Sequence, residues 1–348
     1  MNKERYYSLD FIKGLAISAI ILYHLLNRYA YYLPEKLMPY TAIGGTGTHA
    51  FIFSSGFGLM LSSKKSNITL KSYFLKRFLK IYLPYILVIL FLVLFIPNYN
   101  YVKDYLDLGY TKAEILLSHA LLYKMFLPEL DESCGPYFWY MSTIFQFYIF
   151  FPLLKKIYEK LKAKKYLVFS FVISVAWALF IIIIKKDSIR TWNSCFLQLL
   201  FDFSFGMVIA DNIEKSENLF NRCSSLWFLS IGVFSYFVVF MMSRFQFGSV
   251  LNDIFSAFGF ISCGLFLYKL NIRPLQKLFI LISYISYELY LTSFLATRFI
   301  YSQRFSLIFY NGYLQAVLVA LSAISLSIAV ALLYHIFIKY IYKKIHIS

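Results

Sequence analysis

The sequence predicts an all-α, polytopic membrane protein, and three observations carry that prediction. Of 348 residues, 60% are hydrophobic and only 15% are charged. The mean hydropathy is +0.65. Soluble domains run at about 45–50% apolar and about 25% charged. This chain has too few charges to coat a globule of its size, so lipid must supply the rest of the coat. The third observation is spacing. Apolar stretches of about 20 residues, the length that crosses a bilayer as a helix, recur along the chain between short cationic segments.

In order, spans are expected at 9–27, 42–62, 78–97, 138–155, 166–184, 192–211, 225–243, 249–269, 277–299 and 313–338, about ten transmembrane helices in all. The first is long enough to span and lacks a small-residue cleavage site, so it reads as a retained span rather than a signal peptide. The segment KAEILLSHALLYKMFL (112–127) is interrupted by Glu114, His119 and Lys124. Counting it as a span would put the cationic loop KKIYEKLKAKK on the outside. With ten spans, that loop joins the N-terminus, KKSNITLKSYFLKR, DNIEKSENLFNR, KLNIRPLQK and the tail KKIHIS on one side. That side then holds roughly twice the Lys and Arg of the other, the bias of cytoplasmic loops. Both termini are therefore expected in the cytoplasm. Segment 112–127 is expected as an interfacial or re-entrant helix on the outer face, near the acidic stretch PELDES.

The same distribution disposes of nucleic acid as a partner for the formal net charge of +17: the cations sit in short loops beside spans, where the bilayer is the expected partner. The four cysteines, Cys134, Cys195, Cys223 and Cys263, show no CxxC spacing and no metal-ligand pattern. They read as packing residues, and no metal site is expected. No internal repeat or soluble segment interrupts the chain, so residues 1–348 read as one membrane domain.

The first span carries the chemistry. In KGLAISAIILYH, Lys13 and His24 are separated by about three helical turns and about 16 Å of rise, and only about 20° around the axis. They line one face of a helix, with Asp10 at its entrance. Ionisable groups inside a span usually face protein or a water-filled cavity, although a lysine near a helix end also snorkels to the headgroups. Histidine near the outer end of a span serves equally as an interfacial residue or as a base. Periodicity alone leaves these alternatives open.

Five ordered motifs narrow them. LDFIKGLAISAIILYH resembles the opening signature of membrane-bound acyltransferase family 3, an Arg or Lys followed after ten residues by His. GTGTHAFIFSSGF is similar to that family's second-span motif, keeping Gly47, Phe51, Ser55, Gly56 and Phe57, with His49 where an Asp is usual. YFLKRFLKIYLPYIL resembles its third-span entry, Arg77 and Lys80 filling an Arg-x-x-Arg pair. WYMSTIFQFYIFFPLL keeps Trp139, Ser142, Gln146, Tyr148 and Pro152, but Ile144 and Phe145 replace two carboxylates. SYISYELYLTS keeps Ser286, Tyr287, Tyr290 and Leu291, with Ser293 in place of a histidine. These departures mark a divergent branch.

The resemblance implies a membrane O-acetyltransferase that moves an acetyl group from cytoplasmic acetyl-coenzyme A to a hydroxyl of a cell-surface polysaccharide or its lipid-linked precursor. The expected setting is a bacterial cytoplasmic membrane. Acetyl-coenzyme A is then a donor substrate, and the acceptor is a glycan or lipid-linked saccharide. His24 is expected as the base, since an alcohol needs one and imidazole has the right range. Lys13 would hold donor groups. Arg77 and Lys80, one turn apart, would clamp the donor's phosphates. Glu288, a carboxylate in an apolar span and therefore costly, is expected to orient His24 or bind acceptor hydroxyls, with pairing to Lys13 as the structural alternative.

Trp139 and Tyr140 are expected to stack on a sugar ring, and Ser286, Tyr287 and Tyr290 to line the acceptor pocket. Ser55 is expected to line the pocket or pack closely beside Gly56. His335 and His346 read as packing or surface residues. The alternative function is a transporter or flippase of lipid-linked saccharides, for which repeat symmetry or broken helices with central charges would be the signature.

Overall fold

A computed structural model describes residues 6–28, 42–65, 69–96, 99–245, 247–302 and 312–344. His346 and residues 66–68 of the second cationic loop lie outside these. The described residues are mostly helical, with no strand among them. They group into two compact units, residues 1–51, 224–233 and 257–348, and residues 52–223 and 234–256.

The first unit is built on α1 (Tyr7–Arg28), the start of α2 (Gly47–Lys65) and all or part of five later helices. α10 (Ser225–Met242) and α11 (Asp253–Lys269) each divide between the two units. α12 (Arg273–Tyr284) and α13 (Ser286–Ser302) meet at Ile285 with an 82° bend. α14 (Gly312–Lys344) runs antiparallel to α13, because Glu288 pairs with His335 while the Ser293 carbonyl, further along α13, accepts from Ser327, earlier on α14. Ile17, Ile21 and Leu25 from α1, Ile285, Leu289 and the small residues Ala323 and Ala331 form its core. α1 meets α12 at Gly14, where a Cβ would stand 1.8 Å from the Phe279 carbonyl oxygen. Only glycine allows that approach, and such small-residue contacts are how helices pack where lipid removes the hydrophobic drive.

The second unit carries the rest of α2, α3 (Leu70–Arg77), a π-helical turn at Phe78–Tyr82 and α4 (Leu83–Phe95). The short helices α5 (Asn100–Asp107) and α6 (Lys112–Ala120) follow, then α7 (Trp139–Ile183), α8 (Leu200–Asp211) and α9 (Ile213–Arg222). α2 and α8 cross through reciprocal glycines, Gly56 against the Phe203 carbonyl and Gly206 against the Phe53 carbonyl. α7 lays Phe147 flat on Phe203, ring centroids 4.3 Å apart. At the far end of α8, Asp211 receives Lys64 at 2.7 Å and the Tyr158 hydroxyl.

By length and composition, five described helices suffice to cross a membrane: Tyr7–Asn27, Leu70–Phe95, Pro136–Ile183, Ser225–Met242 and Ala320–Lys344, or six with the bent pair α12–α13. The expected count was ten, and the reasons for the difference are local. α7 has 45 residues, about 67 Å of helix against an apolar thickness of about 30 Å. It breaks at Lys162, whose φ of 62° and ψ of 168° are not helical, so the expected spans 138–155 and 166–184 are both inside it. The expected span 192–211 forms a 12-residue helix, α8, preceded by turns. The expected span 249–269 is a one-turn helix followed by the 17-residue α11. α2, covering the expected span 42–62, is diluted by Gly, Ser and its terminal lysines.

Segment 112–127 is not a crossing helix. α6 has nine residues, about 14 Å, and gives way to single 3₁₀ turns.

Candidate functional site

In the first unit α1 is unbroken from Tyr7 to Arg28, so Lys13 and His24 lie on one helix face as their spacing requires. Lys13 takes Asp10, one turn earlier, as its ion-pair partner at 3.6 Å. His24 is half-buried, with its ring 5.1 Å from that of Tyr23. Glu288 finds a partner other than the two weighed from sequence. Its Oε1 lies 2.7 Å from Nδ1 of His335, and the side chains are 12% and 24% exposed. His335 was read as packing or surface, and it is instead the fixed partner of the buried carboxylate. The sequence held one usable signal: 277–299 and 313–338 each contain few ionisable groups, and consecutive spans tend to pair.

Ser286 is buried and caps the bend by donating to the Ser283 carbonyl at 2.9 Å. Tyr287 and Tyr290 stack at 6.4 Å on the same helix.

In the second unit Arg77 is half-buried, its guanidinium 5.8 Å from the Tyr73 ring centre and 5.7 Å from that of Tyr148. The Tyr73 hydroxyl donates to the Tyr148 carbonyl at 3.0 Å, which fixes this tyrosine bracket. Ser55 lies beside the hydroxyls of Tyr140 and Tyr148. Four residues singled out from sequence, Ser55, Arg77, Tyr140 and Tyr148, therefore converge. Tyr73 was missed, because an aromatic at helical spacing carries no signal of its own.

Arg77 lies eight residues before Tyr85, whose ring packs on Phe138 at the start of α7, so it is about 12 Å along the helix from that level. Among the described residues its Nε is buried without a hydrogen-bond partner, as are Ser142 Oγ and Gln146 Nε2, one turn apart on α7. Buried polar atoms are nearly always satisfied, and exceptions ask for an explanation; an arginine with an unmet donor is suited to an anion.

Lys80 does not share this setting. It is exposed on the π-helical turn that follows α3, while Arg77 is half-buried. Trp139 is half-buried, with the Arg190 guanidinium 5.2 Å over its ring, so that face already carries a cation.

Residues 99–138 form a separate polar knot around His119 and Lys124, in which Asp131 Oδ1 is buried without a hydrogen-bond partner among the described residues. His119 and Lys124 are fully buried. The Ser133 carbonyl can only accept, so His119 Nε2 donates to it at 3.1 Å and Nδ1 accepts from the Tyr85 hydroxyl at 2.5 Å. Lys124 Nζ donates to the carbonyls of Ser133 and Gly135 at 3.2 and 3.5 Å. Burial holds His119 well below the usual histidine range, helped by the Lys124 charge. Burial also lowers Lys124 to about 8 and raises the Cys134 thiol to about 12. Thr111 and Glu114 close a capping box at the start of α6, and those hydrogen bonds lower the Glu114 carboxyl.

No curated protein and no solved structure gives a significant match to this chain. A family model does, the acyltransferase domain of acyltransferase family 3, over residues 6–336. That range takes in α1 with its Lys13–His24 face, the Arg77 bracket and the Glu288–His335 pair. On that match across nearly the whole chain, the protein belongs to acyltransferase family 3, a family of membrane acyltransferases.

Proposed function

We propose that the chain moves an acetyl group from cytoplasmic acetyl-coenzyme A to a hydroxyl of a cell-surface polysaccharide or its lipid-linked precursor. On this reading residues 1–348 act as one domain in a bacterial cytoplasmic membrane, with both termini inside. Ten crossings are reached when α7 counts as two and α2, α8 and α11 cross with the turns that flank them. The observation that carries the reading is the unbroken α1, which sets a cation and an imidazole on one face about 16 Å apart. Coenzyme A is a long, polyanionic donor, and a face of that length suits its extended arm.

In the transfer, His24 takes the proton of the acceptor hydroxyl as its oxygen attacks the thioester carbonyl. The C–O bond forms, the C–S bond breaks, and coenzyme A leaves as the thiol. Lys13 holds an anionic group of the donor on the face it shares with His24, and in the second unit Arg77 is suited by itself to an anion. The unmet Arg77 Nε between two tyrosine rings supports that role. Lys80 gives a second, exposed charge for phosphate. In the first unit, Ser286, Tyr287 and Tyr290 offer hydroxyls and rings to a saccharide.

The test is purified protein in nanodiscs with radiolabelled acetyl-coenzyme A, beside His24→Ala. We expect thioester turnover or protein labelling that falls at least 100-fold in the variant, within the range for loss of a general base, with unchanged membrane insertion. Near-normal transfer by His24→Ala rejects the base. A folded wild-type protein that neither binds the donor nor releases coenzyme A rejects the donor.

A further inference from the structure

Asp131, Lys124 and Arg190 form a cluster of charges that the proposed chemistry does not use, and contacts within the second unit gather it from three parts of the chain. The Lys124 ammonium, fully buried, donates to the Ser133 and Gly135 carbonyls. The chain that wraps the ammonium therefore also carries Asp131, two residues before Ser133. Arg190 arrives after α7 has doubled back at Lys162. The Thr143 hydroxyl, near the start of α7, donates to the Ser194 carbonyl at 2.5 Å. Thr191, next to Arg190, donates to the Met125 carbonyl at 2.5 Å, and Met125 is next to Lys124. The Arg190 guanidinium then lies 5.2 Å over the Trp139 ring.

The three charges are close without being paired. Burial raises the Asp131 carboxyl above its ordinary range, and the Lys124 and Arg190 charges pull it back, so both cations are within its electrostatic reach. Among the described residues neither makes an ion pair with it, no hydrogen bond reaches its carboxylate, and Oδ1 is buried. A half-buried carboxylate with open valences is costly, and a nearby cation would ordinarily swing to meet it. Here Lys124 is engaged by two carbonyls, and the indole ring holds Arg190, whose flat cation stacks well on an aromatic face.

What fits such a site follows from which groups donate and which accept. A guanidinium only donates and a carboxylate only accepts. An anionic ligand would satisfy Arg190 and be repelled by Asp131 and by the exposed Glu132 beside it. An amine would satisfy Asp131 and be repelled by two cations. A hydroxyl is both donor and acceptor, so two neighbouring hydroxyls on a sugar ring bridge the separated groups at no cost in charge. Arg190 is exposed, and Asp131 and Trp139 are half-buried, so the site is reached from solvent, as His119 and Lys124 are not.

We propose that Asp131 and Arg190 hold two neighbouring hydroxyls of an uncharged saccharide unit of the acceptor. One hydroxyl accepts from the guanidinium and the other donates to the carboxylate. Trp139 is the positioning residue that keeps the guanidinium in place. In the orientation proposed above, the start of α7 is on the outer side of the membrane, where the acceptor is. That this saccharide is the acceptor rests on the acyl-transfer reading.

The experiment applies fluorescently labelled protein in nanodiscs to an array of neutral hexose, hexosamine, deoxyhexose and uronic acid oligosaccharides. Wild type is compared with Arg190→Gln, Asp131→Asn, Trp139→Leu and Trp139→Phe, each with its thermal midpoint, and coenzyme A release by wild type is followed separately. We expect wild type to be retained on a subset of the uncharged glycans and less on uronic acids. Arg190→Gln, Asp131→Asn and Trp139→Leu should each weaken retention about tenfold or more, the size of a lost hydrogen bond to a charged group, at an unchanged midpoint. Trp139→Phe keeps a ring under the guanidinium and should keep most of the retention.

A folded wild type retained on no glycan overturns the inference, as does equal retention of wild type, Arg190→Gln and Asp131→Asn. A loss in every variant that follows a fall in thermal midpoint overturns it too, and a preference for uronic acids overturns the choice of an uncharged sugar. Coenzyme A release by a wild type that no glycan retains brings down this inference alone. Retention lost in the variants, beside a wild type that never releases coenzyme A, brings down the acyl-transfer reading and leaves the saccharide site standing.

Discussion

His119 and His335 are both ionisable residues set among apolar side chains, and they are satisfied differently. Both nitrogens of His119 are engaged, by the Tyr85 hydroxyl and the Ser133 carbonyl, and the ring is fully buried. Lys124 beside it is fully buried and turns two of its three N–H groups to carbonyls. His335 engages one nitrogen and keeps a quarter of its surface open, and Arg77 keeps Nε without a partner. A polar group whose valences are all filled by its own chain is holding that chain together. One with a valence left over is arranged for something that arrives.

The comparison breaks most visibly at His119. Replacing it with Ala strips partners from the Tyr85 hydroxyl and Ser133 and leaves a cavity. We expect a loss of about 4 kcal/mol of stability, seen as a large drop in thermal midpoint, with kcat per folded molecule within twofold of wild type. A fall in kcat without a fall in stability would place His119 among the open groups.

Arg77→Ala should do the reverse. The donor KM should rise about 100-fold, about 3 kcal/mol, while the thermal midpoint moves little, because Nε bonds nothing that would be stranded. A Lys at the same place would restore charge without the planar fork, and recovery of less than half the lost affinity would sharpen the case for an anion held by the fork.

The smallest effect is a pH dependence confined to residues 99–138. Burial lowers Lys124 from 10.5 to about 8. The unfolded segment therefore holds a proton that the folded one has released, and stability rises with pH from about 8. Cys134, raised from 9.0 to about 12, gives the opposite slope above 9. Between pH 8 and 9, protection of the amides of 119–135 against hydrogen exchange should increase by up to about 1.4 kcal/mol. Lys124→Met should abolish that rise. An unchanged slope in the variant would show that Lys124 is not the group responsible.

Much of this was legible in the sequence. Composition gave the membrane class, and the interruption at Glu114, His119 and Lys124 kept 112–127 from being counted as a span, as its nine-residue helix bears out. Spacing put Lys13 and His24 on one helix face. What stayed hidden depends on which helices meet. The Glu288–His335 pair arises because α13 folds back against α14, 47 residues away in the chain, and no periodicity within either helix reports that. The convergence of Arg77, Ser55 and Tyr148 joins three separate helices for the same reason. The shortness of α8 was hidden because apolar length does not say where turns fall.

The break at Lys162 has a consequence for how the chain is made. A single residue at φ 62° is all the polypeptide between two helices, each long enough to cross the bilayer. Where the two halves cross as separate spans, as proposed above, Lys162 leaves almost no loop between them, so neither can enter the membrane without its neighbour close behind.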